Sequence, residues 1–100
     1  MTFGLQFTQE ALDDLDRIDS SARRQIAKAI AGRLENPHVP AGALNGSLSG
    51  AYKIKLRKLG IRVIYIVEDQ VCTVIVIAIG KRDKDVAYRK AHKRFTRLTN

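Results

Sequence analysis

The chain has little to offer redox or metal chemistry: one cysteine and two histidines in 100 residues. A lone cysteine, Cys72, excludes an internal disulfide framework and fits a reducing cytosol. Its place in an apolar run marks it as a small buried residue. His38 sits in a loop and His92 in the terminal segment. There is no H-E-x-x-H, no Cys/His cluster and no Asp/Glu cluster near the basic region, so no metal site is expected. No glycine-rich loop joins a strand to a helix as nucleotide phosphates require, and neither serine nor cysteine has a positioned histidine. No apolar run approaches the roughly 20 residues that cross a bilayer. No Lys or Arg precedes the short apolar stretch near the N-terminus, so a signal peptide is not expected either. Cytoplasm is the expected location.

Acid is scarce where base is abundant. The formal net charge is +8, and residues 51–100 hold thirteen Lys/Arg against four Asp/Glu, while residues 1–50 hold five against six. A field this one-sided points to a polyanion, with nucleic acid first and an acidic protein second. The stretch Tyr52–Arg62 carries the theme furthest. Lys53, Lys55 and Arg57 alternate with Ile54 and Leu56, so in a strand the three cations share one face and no acid interrupts them. Such a face suits phosphate.

The length allows one domain with one core. Phe3 to Phe7 reads as a strand with Phe3, Leu5 and Phe7 on one face. Thr8 caps a helix through Leu12, Leu15 and Ile18. Asp19-Ser20-Ser21 breaks it and caps a second, with Ile26, Ile30 and Leu34 on one side, ended by Asn36-Pro37. After a loop over 38–50, strands are expected at about 51–58, 61–67 and 71–79, then a cationic helix over 83–97. The expected fold is α+β, a small mostly antiparallel sheet with an N-terminal helical hairpin, in the order β-α-α-β-β-β-α. The hairpin covers one face and leaves the other, or part of it, to the cations.

With other chemistry excluded, Lys, Arg and Tyr remain. Arg62 follows the Gly60 turn and can lie opposite Lys53 or Lys55. Gly80-Lys81-Arg82 closes the last strand, and Tyr88 begins the terminal helix, either to meet an RNA base or to pack on the sheet. Metal-free RNA cleavage needs a base for the 2′-hydroxyl and cations for the phosphoryl charge. A free lysine has a pKa of about 10.4. Cations at i, i+2 spacing, roughly 7 Å apart, disfavour its charged form by about 0.6–2.4 kcal/mol per pair. By themselves these residues argue for RNA binding more firmly than for cleavage.

Tyr52-Lys53-Ile54-Lys55-Leu56-Arg57, Gly60-x-Arg62-x-x-Tyr65 and Ile79-Gly80-Lys81-Arg82, with Tyr88 six residues on, resemble the RelE toxins of toxin–antitoxin systems, within the RelE/ParE superfamily. The element order agrees, and the resemblance spans nearly the whole chain, taken as one RelE-like domain over 1–100. It implies a type II toxin that cuts mRNA in the ribosomal A site by metal-independent attack of the 2′-hydroxyl, without a cofactor. Carried over by position, it implies Lys55 as general base and Arg82 assisting the leaving 5′-oxygen. Lys53 and Arg62 would hold phosphate, and Tyr88 would stack on the mRNA base. Arg57, Lys58, Lys81 and Lys84 would touch ribosomal RNA. The implied partners are a RelB-like antitoxin, the ribosome and mRNA. The chain departs from many members in carrying Asn45 in the Leu44-Asn45-Gly46 turn, where they have a basic residue, so that phosphate contact is not carried over. The branch that uses Glu and His as acid and base is not matched. The alternatives are a ParE-like poison of DNA gyrase without RNase activity, and a degenerate member that only binds.

Overall fold

A computed structural model of the protein describes residues 2–99. The elements are β1 (Gly4–Phe7), α1 (Gln9–Asp16), α2 (Ser20–Ala31), β2 (Ala51–Leu56), β3 (Ile61–Glu68), β4 (Thr73–Lys81) and α3 (Val86–Thr99). Local chemistry sets the helix starts. Thr8 Oγ1 accepts the Ala11 N–H at 3.1 Å and Asp19 Oδ1 accepts that of Ala22 at 2.7 Å, each satisfying a donor that a helix start leaves open. Both helices stop sooner than the apolar spacing suggests. Ile18 and Leu34 lie in the turns that follow, yet both still pack on the core.

The four-stranded sheet has the order β1-β4-β3-β2; β1 runs parallel to β4 and the other pairs are antiparallel. It is covered on both faces. The α1–α2 hairpin buries Ala11, Ile26 and Ile30 against Ile54, Val63, Tyr65, Val74, Val76 and Ile79. Each fully buried Ile contributes about 1.5–3 kcal/mol. On the opposite face Ala87 and Ala91 of α3, with the partly buried Phe95, close over Ile64, Ile66, Ile77 and Ala78. Only part of that second face stays open: the end that carries Lys53 and Lys55 of β2, beyond the buried Ala51.

Several features differ from expectation, among them the start of α3 at Val86 in place of residue 83. β2 ends at Leu56, and Arg57 enters the turn to Gly60, whose φ is +64°. Arg57 therefore leaves the alternating row. Leu5 is 41% exposed on the edge strand, while Phe3 and Phe7 pack inward. β4 starts at Thr73, because a 3-10 turn over Asp69–Val71 and a left-handed Cys72 reverse the chain. Cys72 is thus half-buried in a turn rather than buried in the strand, and Val71 is 67% exposed.

β4 also contains a bulge. Ile64 pairs with Ala78 and Tyr65 with Val76, so Ile77 is an extra residue and shifts the alternation that follows. Beyond Val76, β1 no longer pairs with β4, and side chains take over its place. Asp14, 3% exposed, accepts the Ile79 N–H at 3.0 Å. Arg94 donates to Ile77 O at 2.9 Å and to Asp14 at 2.7 Å, and Lys90 Nζ reaches Asp14 at 3.0 Å. Burial opposes ionisation of Asp14. The hydrogen bonds from Arg94, the Ile79 N–H and Lys90 outweigh it and hold the carboxyl below its ordinary value.

Candidate active site

The site forms where the open end of the sheet meets the start of α3. Lys53 and Lys55 lie on the α3 face of β2, since Ile54 and Leu56 belong to the hairpin face. In the register Lys55 pairs with Arg62, and Arg62 pairs across β3 with Gly80. The chain leaves β4 with the Arg82 N–H bonded to Gly60 O at 2.9 Å, so Arg82 extends the ladder by one step. Lys53, Lys55, Arg62, Arg82 and Tyr88 then line one open cleft of about 380 Å³. Tyr88 is also half-buried against the second core, so it packs on the sheet, as one of its two sequence readings expects, while still lining the cleft.

Gly80 sets the width of this meeting point. A Cβ there would lie 3.1 Å from both N and Cα of Ala87. Strand and helix backbones therefore approach closely, and Tyr88 comes down onto the end of the sheet. The loop between them is unusual: Lys84 (φ 55°) and Asp85 (φ 54°) are both left-handed without being glycine. Strain of this kind, of order 1–3 kcal/mol per residue, persists only where the surroundings enforce it.

The electrostatics divide the positive charge in two. On α3, Lys90 and Arg94 are paired with Asp14, and Arg97 with Glu10 at 2.7 Å. In the cleft, Lys53, Lys55, Arg62 and Arg82 have no ion-pair partner among the described residues; Arg62 donates only to its neighbour Ile61 O, at 3.2 Å. Uncompensated cations act on one another. The Lys53 charge, slight desolvation, and the charges of Arg57 and Arg62 together hold the Lys55 ammonium below the ordinary value of 10.5. The arrangement can bind a phosphodiester, spread its charge over fixed cations, and present one amine that releases its proton more readily than a free lysine.

The other expected contacts scatter. Lys84 lines the cleft. Arg57 lines a neighbouring shallow groove with Arg33 and Lys53, and Lys58 stands exposed in the turn. Lys81 faces the hairpin side, beside Ile18 and Ile79. Two cleft residues escaped the sequence reading: Asp83 and Asp85 also line it. Their only sequence signal is their place beside Lys84, between Arg82 and Tyr88. Among the described residues no group of His, Cys, Asp and Glu is arranged to hold a metal ion. Tyr65, from the same sequence motif as Arg62, serves the fold. Its hydroxyl donates to Pro37 O at 2.6 Å and accepts from Arg33 at 3.0 Å, and its ring stacks on Tyr52. No helix among the described residues is long and apolar enough to cross a membrane.

A family profile described as "ParE toxin of type II toxin-antitoxin system, parDE" matches residues 5–86. The chain is 38% identical to "mRNA interferase toxin RelE" of Escherichia coli K12, over 94% of this chain and 98% of that protein. "mRNA interferase RelE" of Shigella flexneri matches to the same extent. Among solved structures, a double-arginine variant of E. coli toxin RelE in the free state superposes with a TM-score of 0.84 at 37% identity, covering 94% of this chain and 98% of that one. The toxin of the intact E. coli RelBE toxin–antitoxin complex superposes with a TM-score of 0.76 at 37% identity, over 81% and 98%.

Proposed function

The chain belongs to the RelE/ParE family of type II toxin–antitoxin toxins, and from that premise we propose that it is a ribosome-dependent mRNA endonuclease held in check by a RelB-like antitoxin. One observation carries this reading: five cations without an ion-pair partner among the described residues and one aromatic ring line a single open cleft, outnumbering the two carboxylates there, Asp83 and Asp85. A protein that only bound a partner protein would not need unpaired cations gathered at a strand end.

In the proposed reaction Lys55, as the neutral amine, takes the proton of the 2′-hydroxyl. The 2′-oxygen bonds to phosphorus and the bond from phosphorus to the 5′-oxygen breaks. Lys53 and Arg62 meet the charge on the non-bridging oxygens. Arg82 meets the charge growing on the leaving oxygen, which takes a proton from solvent water and ends as a 5′-hydroxyl opposite a 2′,3′-cyclic phosphate. Tyr88 stacks on the base and fixes the nucleotide. A weak base on an exposed strand needs a substrate held near the attack geometry, and the ribosomal A site supplies that orientation.

The depressed Lys55 pKa sets the pH dependence. Single-turnover cleavage of A-site mRNA should rise with pH on a limb whose midpoint lies below 10.5. Arg57→Gln removes one of the charges that lowers it, so the limb should move up and the rate at pH 7.5 should fall, with recovery at higher pH. An equal loss at every pH would make Arg57 a docking contact alone.

A second reading has its own observation, since the matching family profile carries the ParE description. A ParE-like protein would poison DNA gyrase and cut no RNA. Primer extension on transcripts after induction without antitoxin separates the two. The proposal expects new mRNA ends within codons of translated regions. Intact transcripts together with stalled replication would overturn it in favour of the gyrase reading.

A further inference from the structure

A second groove opens beside the cleft and shares Tyr88 and Asp85 with it. It is larger, about 530 Å³. Its floor is apolar, from Leu48, and one wall is the first two turns of α3. Tyr88 and His92 stand one turn apart there, as do Arg89 and Lys93, so an aromatic row and a cationic row run side by side away from the cleft. Nδ1 of His92 shares a hydrogen bond with Ser47 Oγ at 2.9 Å, which ties the helix to the 3-10 turn over Gly46–Leu48. The other ring nitrogen, Nε2, has no partner among the described residues. Neither Arg89 nor Lys93 has an ion-pair partner among them either.

We infer that this groove is a base-reading subsite for the nucleotide that flanks the scissile position, with Leu48 beneath its base, Ser47 and His92 reading its edge, and Arg89 and Lys93 holding its phosphate. The inference rests on the reading of the cleft as an RNA-cleaving site. A flat apolar floor with polar groups at one side and cations along the other matches a single-stranded nucleotide, which offers a π face, a hydrogen-bonding edge and an anion. The lack of a basic side chain at Asn45, in the adjoining turn, leaves Arg89 and Lys93 as the cations of this region.

Anisotropy measurements with the full chain and short uncleavable 2′-O-methyl RNAs, differing only in the flanking base, test the inference without cleavage. Wild type should separate the four bases by about fivefold or more, the worth of one hydrogen bond. The exposed pair Ser47→Ala with His92→Ala, checked for an unchanged melting temperature, should bring them within about twofold of one another. Unchanged discrimination in the double variant overturns the inference. On ribosomes the same variant should flatten base preference at the flanking position. A uniform slowing at all sites would assign the groove to ribosomal RNA and overturn it as well. Base discrimination in a protein that never cuts would sink the nuclease reading alone.

Discussion

Lys55→Ala is expected to slow mRNA cleavage on ribosomes by about 10²–10⁴-fold, the usual worth of a positioned general base. Expression of the variant without antitoxin should then no longer arrest growth. Arg82→Ala should act alike, because in the proposed reaction the leaving oxygen would lose its cation. Both side chains are exposed and make no hydrogen bond to another side chain among the described residues. Melting temperatures should therefore stay at the wild-type value, or rise slightly for Lys55→Ala as repulsion with Lys53 and Arg62 is relieved. Full toxicity in both variants would show that this row of cations does not carry the chemistry.

Asp14→Ala should produce the largest loss of stability. Asp14 is buried, and its carboxylate faces Arg94 and Lys90 while accepting the Ile79 N–H. Its removal leaves Lys90 without its counter-charge, Arg94 with only the more distant Glu10 at 3.4 Å, and a buried backbone donor without an acceptor, a loss of about 3–5 kcal/mol. That is a large share of the roughly 5–15 kcal/mol that holds a domain folded. Denaturant titration would read it directly. The pH dependence gives an independent check. Asp14 is held below its ordinary value of 3.8, so its contribution is complete above that pH and fades as the pH falls through the lower folded value. The gap between wild type and Asp14→Asn should narrow only in that acidic window. A gap that is constant down to the acid limit would mean the ionised carboxylate is not what stabilises the fold.

Much of this fold is readable from the chain because the signals are local. Thr8 and Asp19 announce helix starts, the β-branched run over 71–79 announces a strand buried on both faces or central in its sheet, though the strand itself begins only at Thr73, and the alternation of Lys53 with Ile54 fixes which face of β2 is charged. That the residues of three separated segments line one cleft follows from strand order and register, which the family resemblance brings with it. What is not readable depends on distant parts of the chain. A period-of-two reading carries Lys53, Lys55 and Arg57 onward together, but the strand ends at Leu56 because Arg57 is needed for the turn to Gly60. The division of cations on α3 depends on Asp14, which precedes Lys90 and Arg94 by more than seventy residues. Asp83 and Asp85 reach the cleft only because Lys84 and Asp85 adopt left-handed backbone, which composition does not reveal.

The bulge at Ile77 makes the chemistry depend on a count of residues rather than on their type alone. Before it, even-numbered residues of β4 face the hairpin; after it, Ile79 and Lys81 do, so that Gly80 meets Ala87 and Lys81 turns away from the cleft. If β4 ran through this point as a regular strand with every residue kept, the motif would be intact in sequence and yet the roles would exchange: Ile79 would press its side chain against α3, and Gly80 would face the hairpin. The face on which each of these residues lies is therefore set by the bulge and not by its type. What must be kept along β4 is the bulge itself, since without it the same residues would turn the wrong side to α3.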